Sequence, residues 1–298
     1  MNKTIGWIVI ILVIVGIVWW ASSKPVTAPV VGGEPIKIGA ILPLTGPIAG
    51  AGEFAKQGVE MAVKDLEIEG KKVTVIFEDN QYDAKVGLSA YNKLRTVDKV
   101  DAIIVFGTPP AMALTPIVNV DKVPMLALTA SPAYSTLDDY AFRIVGTADA
   151  EAKATVDILV DKLAKKRIAI LYLNNDYGKG ALEAFKKYSA GRATVVAEES
   201  SLPGALDYRA QLTKIKAAAP DGIFLATLYR EAGTILKQAQ EMGIKGPFMC
   251  GQPCDYPETL TIAGAAAEGL IVTAPTNNAG ATFVEKYRQA YGGDFLSY

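Results

Sequence analysis

Between Leu42 and Gly58 the chain reads LPLTGPIAGAGEFAKQG, an apolar segment that passes through glycines and prolines into a helical pattern. A Gly-rich turn between a strand and a helix is a place where backbone amides can cradle a phosphate. This one lacks G-x-G-x-x-G in register with a downstream ribose-binding acid, so a Rossmann-type enzyme stays open as a class but has no fingerprint here. Histidine is absent from all 298 residues, which removes Ser-His-Asp and Cys-His nucleophiles, His-ligated zinc and the usual group that titrates near neutrality. Two cysteines, Cys250 and Cys254 in MCGQPCDY, are too few for a metal site; they read as two small buried thiols or as a local disulfide in an oxidising compartment. No metal and no cofactor is expected. The remaining polar groups with chemical potential lie in short loops: GTPPAMA, LTASP, NNDYGKG and MCGQPCDY. Hydroxyls, backbone amides and tyrosines of this kind suit recognition of a small polar molecule.

Those loops follow a repeating pattern. IKIGAIL precedes a helix with Phe54, Gly58, Met61, Ala62 and Leu66 at helical spacing, KVTVIFED is a strand, and a second helix presents Ala90, Tyr91, Leu94 and Val97. VDAIIVFG, a short helix over 112–120 and VPMLALT continue the alternation. It then restarts: a helix over 155–163, KRIAILYL, a helix over 181–188, ATVVAEES, a helix after Asp207 as N-cap, DGIFLATL, a helix bearing Ile235, Leu236 and Ala239, then GPFMCG and EGLIVTA. Continuous apolar strands between amphipathic helices imply parallel sheets covered on both faces. The fold class is therefore α/β, with two similar Rossmann-like lobes in succession. Open parallel sheets bind ligands beyond the carboxyl ends of their strands, so the strand-end loops of two facing lobes would line one cleft.

Half the residues are apolar and the length suits about two globular units. Thirty basic against 31 acidic residues leave a net charge of −1, with no basic tract to follow phosphates, so no nucleic acid partner is expected. Near the N-terminus, IGWIVIILVIVGIVWWA is an uncharged run with Lys3 before it and Trp19 and Trp20 at its far end. It reads as a membrane anchor over residues 1–23 or as a signal peptide cleaved near Ala21-Ser22-Ser23, followed by a Pro/Gly-rich linker over 24–35. Either reading puts the rest of the chain outside the cytoplasm.

In order along the chain, IGAILPLTGPIAGAG, FED, VDAIIVFGT, VPMLALTASP, RIAILYLNNDYGKG, DYRAQLTKIKAAAPDGIFLAT, ILKQAQEMGI and AAEGLIVTAP resemble the type I periplasmic binding proteins, in their leucine/isoleucine/valine-binding branch. The resemblance runs from Ile36 to about Tyr291. It implies two lobes joined by a hinge, 36–147 plus 276–298 and 148–275, which close over an amino acid or related carboxylate or amide and deliver it to the membrane subunits of an ABC importer. No catalysis is implied. Family chains extend further, so this one looks C-terminally incomplete.

The resemblance also assigns a site. Thr108 and Ala111 stand at the start of the helix after the third strand, where the family holds the ligand carboxylate; Ala111 occupies the usual serine position, and Pro109 and Pro110 cannot donate. Thr129, Ala130 and Ser131 match the Ala-Ser or Ala-Thr pair that gives backbone and hydroxyl contacts. From the second lobe, Tyr177 and Tyr229 match cleft tyrosines, and Gln252 falls where branched-chain binders carry an acid for the ligand ammonium. An amide brings no counter-charge, so Asp255 or Glu231 would substitute, or the ligand lacks the ammonium. Ala51 stands where an aromatic often covers the ligand. Ordinary turn chemistry accounts for any one of these hydroxyls, and strand-end packing for Tyr177, with Asp176 capping the next helix. A sensor ectodomain is the alternative function, though only MNKT precedes the apolar run.

Overall fold

The computed structural model of the chain describes residues 35–68, 72–136, 140–274 and 281–292. The apolar N-terminal run and the linker lie outside the described residues. Among the described residues no helix is long and apolar enough to cross a membrane.

Among these residues ten strands form two parallel sheets of five. In the first, β1 (Ile36–Leu42), β2 (Val73–Asp79), β3 (Ala102–Phe106), β4 (Met125–Leu128) and β5 (Ala141–Arg143) lie in the order β2-β1-β3-β4-β5. In the second, β6 (Arg167–Leu173), β7 (Thr194–Ser201), β8 (Gly222–Ala226), β9 (Phe248–Cys250) and β10 (Ile271–Val272) lie in the order β7-β6-β8-β9-β10. The two orders are one pattern. The repeat expected from the sequence is thus a repeat of topology, and each sheet has its switch point between its first and third strands.

The crossover helices of the first sheet are α1 (Ala49–Ile68), α2 (Ala84–Lys93) and α3 (Thr108–Asp121). α4 (Ala148–Val156) leads from the first sheet into the second, whose crossover helices are α5 (Asp176–Ser189), α6 (Arg209–Ala217), α7 (Tyr229–Glu241) and α8 (Pro257–Ala263). One buried cluster packs Ile41, Tyr91, Ile103, Val105, Leu114 and Met125 in the first lobe. The second lobe carries two, around Phe185 and Phe224 on one face of its sheet and around Leu225, Ile235 and Leu236 on the other. A sheet buried on both faces explains the unbroken apolar strands. The last helix, α9 (Ala281–Tyr291), returns to the first lobe: Lys286 pairs with Asp65 at 3.0 Å, and the Tyr291 hydroxyl donates to the Gln57 carbonyl at 3.1 Å.

Several element boundaries differ from the sequence expectation. α3 begins at Thr108, with prolines in its first turn, where their missing N–H groups cost nothing. α4 begins at Ala148 because Thr147 caps it, accepting from the Ala150 amide at 3.1 Å; the expected helix over 155–163 is its end plus a wider turn over Asp157–Lys162. α5 begins at Asp176, and its cap is Asn175, accepting from the Gly178 amide at 3.0 Å, so Asp176 does not cap it. At α6 the N-cap position is Tyr208, and Asp207 accepts from the Arg209 amide at 3.1 Å one residue before it.

Candidate functional site

The carboxyl ends of the two sheets face each other, and the first contact between them is aromatic. Ile48, Ala51 and Tyr82 from the first lobe share a buried cluster with Leu173, Leu228, Tyr229 and Tyr256 from the second. The Tyr229 and Tyr256 rings lie 4.6 Å apart, and Phe54 stands 6.2 Å from Tyr256. Ala51 supplies only a methyl group, and Tyr256 of the opposite lobe contributes the aromatic surface beside it. The Tyr229 hydroxyl accepts from the backbone amides of Gly50 and Ala51. Those are unpaired donors in the first turn of α1, so a phenol from one lobe caps a helix of the other. A side chain on Gly50 would meet Glu258 at 2.7 Å and the Tyr229 hydroxyl at 3.4 Å, which shows how closely the opposite lobe approaches the Gly-rich turn.

Tyr82 reaches this position through an unusual turn. Asn80, fully buried at the end of β2, donates to the carbonyls of Ile41 at 3.0 Å and Phe106 at 2.9 Å, tying the ends of β1 and β3 together. Its side-chain oxygen accepts from the Tyr82 amide at 2.8 Å. Gln81 and Tyr82 both take left-handed backbone conformations, at φ 53° and 60°; strain of this kind needs surrounding structure to hold it. The ring packs on Gly107, where a Cβ would come within 2.8 Å of it, and its hydroxyl meets the side chains of Thr108 and Asn175. Burial raises the Tyr82 hydroxyl pKa above its ordinary value.

The structure brings the hydroxyls expected from the sequence into one group at the ends of β3 and β4. Thr129 donates to Thr108 at 2.9 Å and accepts from the Ser131 amide at 3.4 Å. Thr108, Thr129 and Ser131 are all buried, and the Ser131 hydroxyl has no protein partner. Ala111 is buried too, but its amide already donates to the Gly107 carbonyl at 3.0 Å, so the helix itself occupies that donor. The Ala130 carbonyl accepts from the Ala148 amide at 2.8 Å, which locks the strand-end loop to the start of α4 in the other lobe.

In the second lobe Tyr177 stands in the first turn of α5, fully enclosed, and donates to Glu151 Oε2 at 3.1 Å. Gln252 is half-buried in a single turn after β9, bracketed by Cys250 and Cys254, which the structure joins in a disulfide with Cα atoms 6.0 Å apart. Glu231, weighed above as a substitute acid, is buried; its Oε1 accepts from the Gly204 amide at 2.8 Å, its Oε2 has no protein partner, and burial raises its pKa. Asp255 is half-buried beside Cys254. A cleft of about 500 Å3 opens between the lobes at the edge of this group, lined among others by Met112, Ser131 and Pro132 on one side and Asp176, Lys179 and Gly180 on the other. Of the hydroxyls above, only Ser131 reaches it. Among the described residues no group of acids and cysteines could hold a metal ion.

Sequence reasoning missed Tyr82, Tyr256 and Glu151. Tyr82 follows Asp79-Asn80, a pair that favours left-handed turns, and this was the available signal. Glu151 stands in the first helical turn beside Asp149, where acids are common for reasons unrelated to ligands.

Two parallel-sheet lobes of like topology, closing over hydroxyls, amides and tyrosines from both, define a solute-binding protein of the type I periplasmic class. The family model for periplasmic binding proteins matches residues 35–298, and the chain belongs to that family, in its leucine/isoleucine/valine-binding branch. A Leu/Ile/Val-binding protein homolog from Brucella melitensis is 29% identical over 246 residues, 80% of this chain and 67% of the relative. The crystal structure of a leucine binding protein from Thermotoga maritima superposes with a TM-score of 0.80 at 27% identity, covering 87% of this chain and 77% of that one. The branched-chain amino acid transporter substrate binding protein of Streptococcus pneumoniae, in complex with isoleucine, gives 0.77 at 26% identity, covering 88% and 78%. The family is one of solute binders, not enzymes, and its members work outside the cytoplasm.

Proposed function

We propose that the protein captures a small polar solute, an amino acid or a related carboxylate or amide, between its lobes and presents it to the membrane subunits of an ABC importer, without catalysing a reaction. What supports this reading is the group of Thr108, Thr129 and Ser131 at the strand ends of one lobe, together with the packing of Tyr229 of the other lobe against Ile48, Ala51 and Tyr82. The Ser131 hydroxyl and the loop around it after β4, beside the start of α3, take the carboxylate end of the ligand. Tyr177, Tyr229 and the Gln252 turn close on the other end. The lobes, 36–147 with 276–298 and 148–275, move about the crossing near Arg143 to Ala148, and ligand binding favours the closed arrangement through contacts that only it offers. The apolar N-terminal run directs the protein out of the cytoplasm, either as an anchor that stays in the membrane or as a signal removed on export.

The leucine and isoleucine binding in the names of similar proteins supports branched-chain amino acids as the first solutes to try. A thermal-shift screen of the purified ectodomain against amino acids, short carboxylates and amides tests the reading. A specific ligand at one hundred times its Kd stabilises by about 2.7 kcal/mol, which moves the melting midpoint by a few degrees. Absence of any shift across the panel, together with turnover of one of its members, would overturn it.

A further inference from the structure

A charge stands buried at the candidate site that the expected pattern of residues did not include. Glu151, in the first turn of α4, is only 8% exposed. Its Oε2 accepts from the Tyr177 hydroxyl at 3.1 Å, and its Oε1 has no protein partner. The carboxylate lies directly against the loop that carries Gln252: a Cβ on Gly251 would stand 2.3 Å from Glu151 Oε2 and 3.2 Å from the Tyr177 hydroxyl. On its other side, one turn earlier in the same helix, the Ala148 amide is bonded to Ala130. The side chain therefore stands where α4, α5, the end of β9 and the β4 loop of the first lobe meet. These are the elements that carry Ala130, Ser131, Tyr177 and Gln252.

An unpaired buried carboxylate oxygen is expensive for the fold unless something donates to it. The titratable groups around it do not settle the account. Tyr177 of α5 supplies one neutral donor, with Tyr82 of the first lobe behind it. Asp149 on the same turn faces away, toward Lys187 and Tyr188. Glu151 joins no ion pair among the described residues. Burial raises its pKa to about 7, against 4.5 in water, so the ligand-free site holds the group close to half-protonated at neutrality.

We propose that Glu151, positioned by Tyr177, is the counter-charge of the cleft in place of an acid at Gln252, and that it selects a ligand carrying an ammonium group. This rests on the solute-binding reading above and narrows it: of amino acids, plain carboxylates and amides, the site takes the amine-bearing class. Gln252, neutral and adjacent, offers its carbonyl as a further acceptor without competing for the charge. When the ammonium docks on Oε1, the carboxyl ionises and its proton leaves to solvent.

The experiment is isothermal calorimetry on the ectodomain with matched probes: L-leucine, L-isoleucine and L-valine, each beside the carboxylate that lacks its amino group, for leucine 4-methylpentanoate. Each is titrated into the wild type and into Glu151→Gln, at pH 7 in two buffers of different ionisation enthalpy. The expected result is that the amine-bearing member binds and its deaminated partner binds at least roughly 10-fold more weakly. Glu151→Gln should weaken the amine-bearing member by roughly 10- to 100-fold and leave its partner unchanged. Proton release accompanies binding to the wild type and vanishes in the variant, which a merely structural role for Glu151 would not produce. A melting midpoint for Glu151→Gln at or above that of the wild type verifies that it folds. Equal affinity for the two members of a pair, or an unchanged affinity in Glu151→Gln, overturns the charge assignment while leaving the solute-binding reading intact. Binding of none of the six probes to the wild type overturns the amine-selective assignment itself, and the wider solute-binding reading then rests on the broader screen.

Discussion

Asp149 and Glu151 show how little residue type fixes at the scale of a side chain. Both are acids in the first turn of α4, where the helix dipole favours negative charge. Asp149 faces outward and is held by Tyr188 and Lys187, which lower its pKa. Glu151, two residues on, turns inward, and burial raises its pKa to about 7. The second shift fixes a sign. A carboxyl whose folded pKa lies above its unfolded value of 4.5 keeps its proton more tightly when folded, so its contribution to stability is fully present below pH 4.5 and is lost as pH rises through about 7. Ligand-free wild type should therefore lose roughly 2–3 kcal/mol more stability than Glu151→Gln between pH 5 and pH 8. Urea unfolding of both proteins at the two pH values measures this, and parallel pH profiles would refute it. Sequence alone could name both acids but could not separate them, because the face of α4 that is buried depends on the hinge crossing, anchored by the Ala148 amide on the Ala130 carbonyl.

At the scale of elements, the Gly-rich turn that first suggests a phosphate cradle has a steric purpose. A Cβ on Gly52 would lie 2.1 Å from the Pro43 carbonyl oxygen, so α1 can pack against the end of β1 only if that position has no side chain. The second lobe repeats the device: a Cβ on Gly178 would lie 2.1 Å from the Leu173 carbonyl oxygen where α5 leaves β6. Both clashes are with backbone, which cannot rotate away. Gly52→Ala and Gly178→Ala should each destabilise by at least about 1–3 kcal/mol, the usual cost of overpacking a tight contact. Asn175→Ala, which removes only the α5 cap, should cost about 1 kcal/mol. Comparison of the three melting midpoints tests the order; a Gly178→Ala variant as stable as wild type would contradict the packing argument. The repeat of strand, turn and helix was legible in the sequence because a sheet buried on both faces writes its strands as unbroken apolar runs. The helix starts were less so. Thr147 and Asn175 are ordinary capping residues, but Asp149 stands two residues after the first and Asn174 and Asp176 flank the second, and the choice among them is made by the path of the incoming strand.

The whole molecule closes through few direct bonds. One part of the contact between lobes is the aromatic cluster of Tyr82, Tyr229 and Tyr256, which is non-directional and adapts to small rotations. Directionality comes from the Ala148 amide on the Ala130 carbonyl and from the Tyr229 hydroxyl on the amides of Gly50 and Ala51. In an open arrangement water would satisfy those amides and the phenol alike, so their net value is only about 1–2 kcal/mol for the pair of bonds, and it belongs to the closed state alone. That is enough to move a balance between open and closed forms of comparable energy. Removal of the hydroxyl in Tyr229→Phe keeps the ring in its cluster and removes the latch. Ligand affinity should fall roughly 5- to 30-fold, because part of the binding free energy must then drive closure. The fold itself should melt within a few degrees of wild type, since neither lobe's core is touched. Small-angle scattering with and without saturating ligand provides the structural readout: Tyr229→Phe should be more extended than wild type before ligand and equally compact after it. A variant equally compact in both conditions, with unchanged affinity, would mean that the aromatic cluster alone holds the lobes together. The sequence placed Tyr229 at a strand end facing the cleft, but the bond it makes crosses between lobes about 180 residues apart in the chain (residues 50 and 229). No local pattern encodes such a contact, and it exists only when both sheets are present and facing.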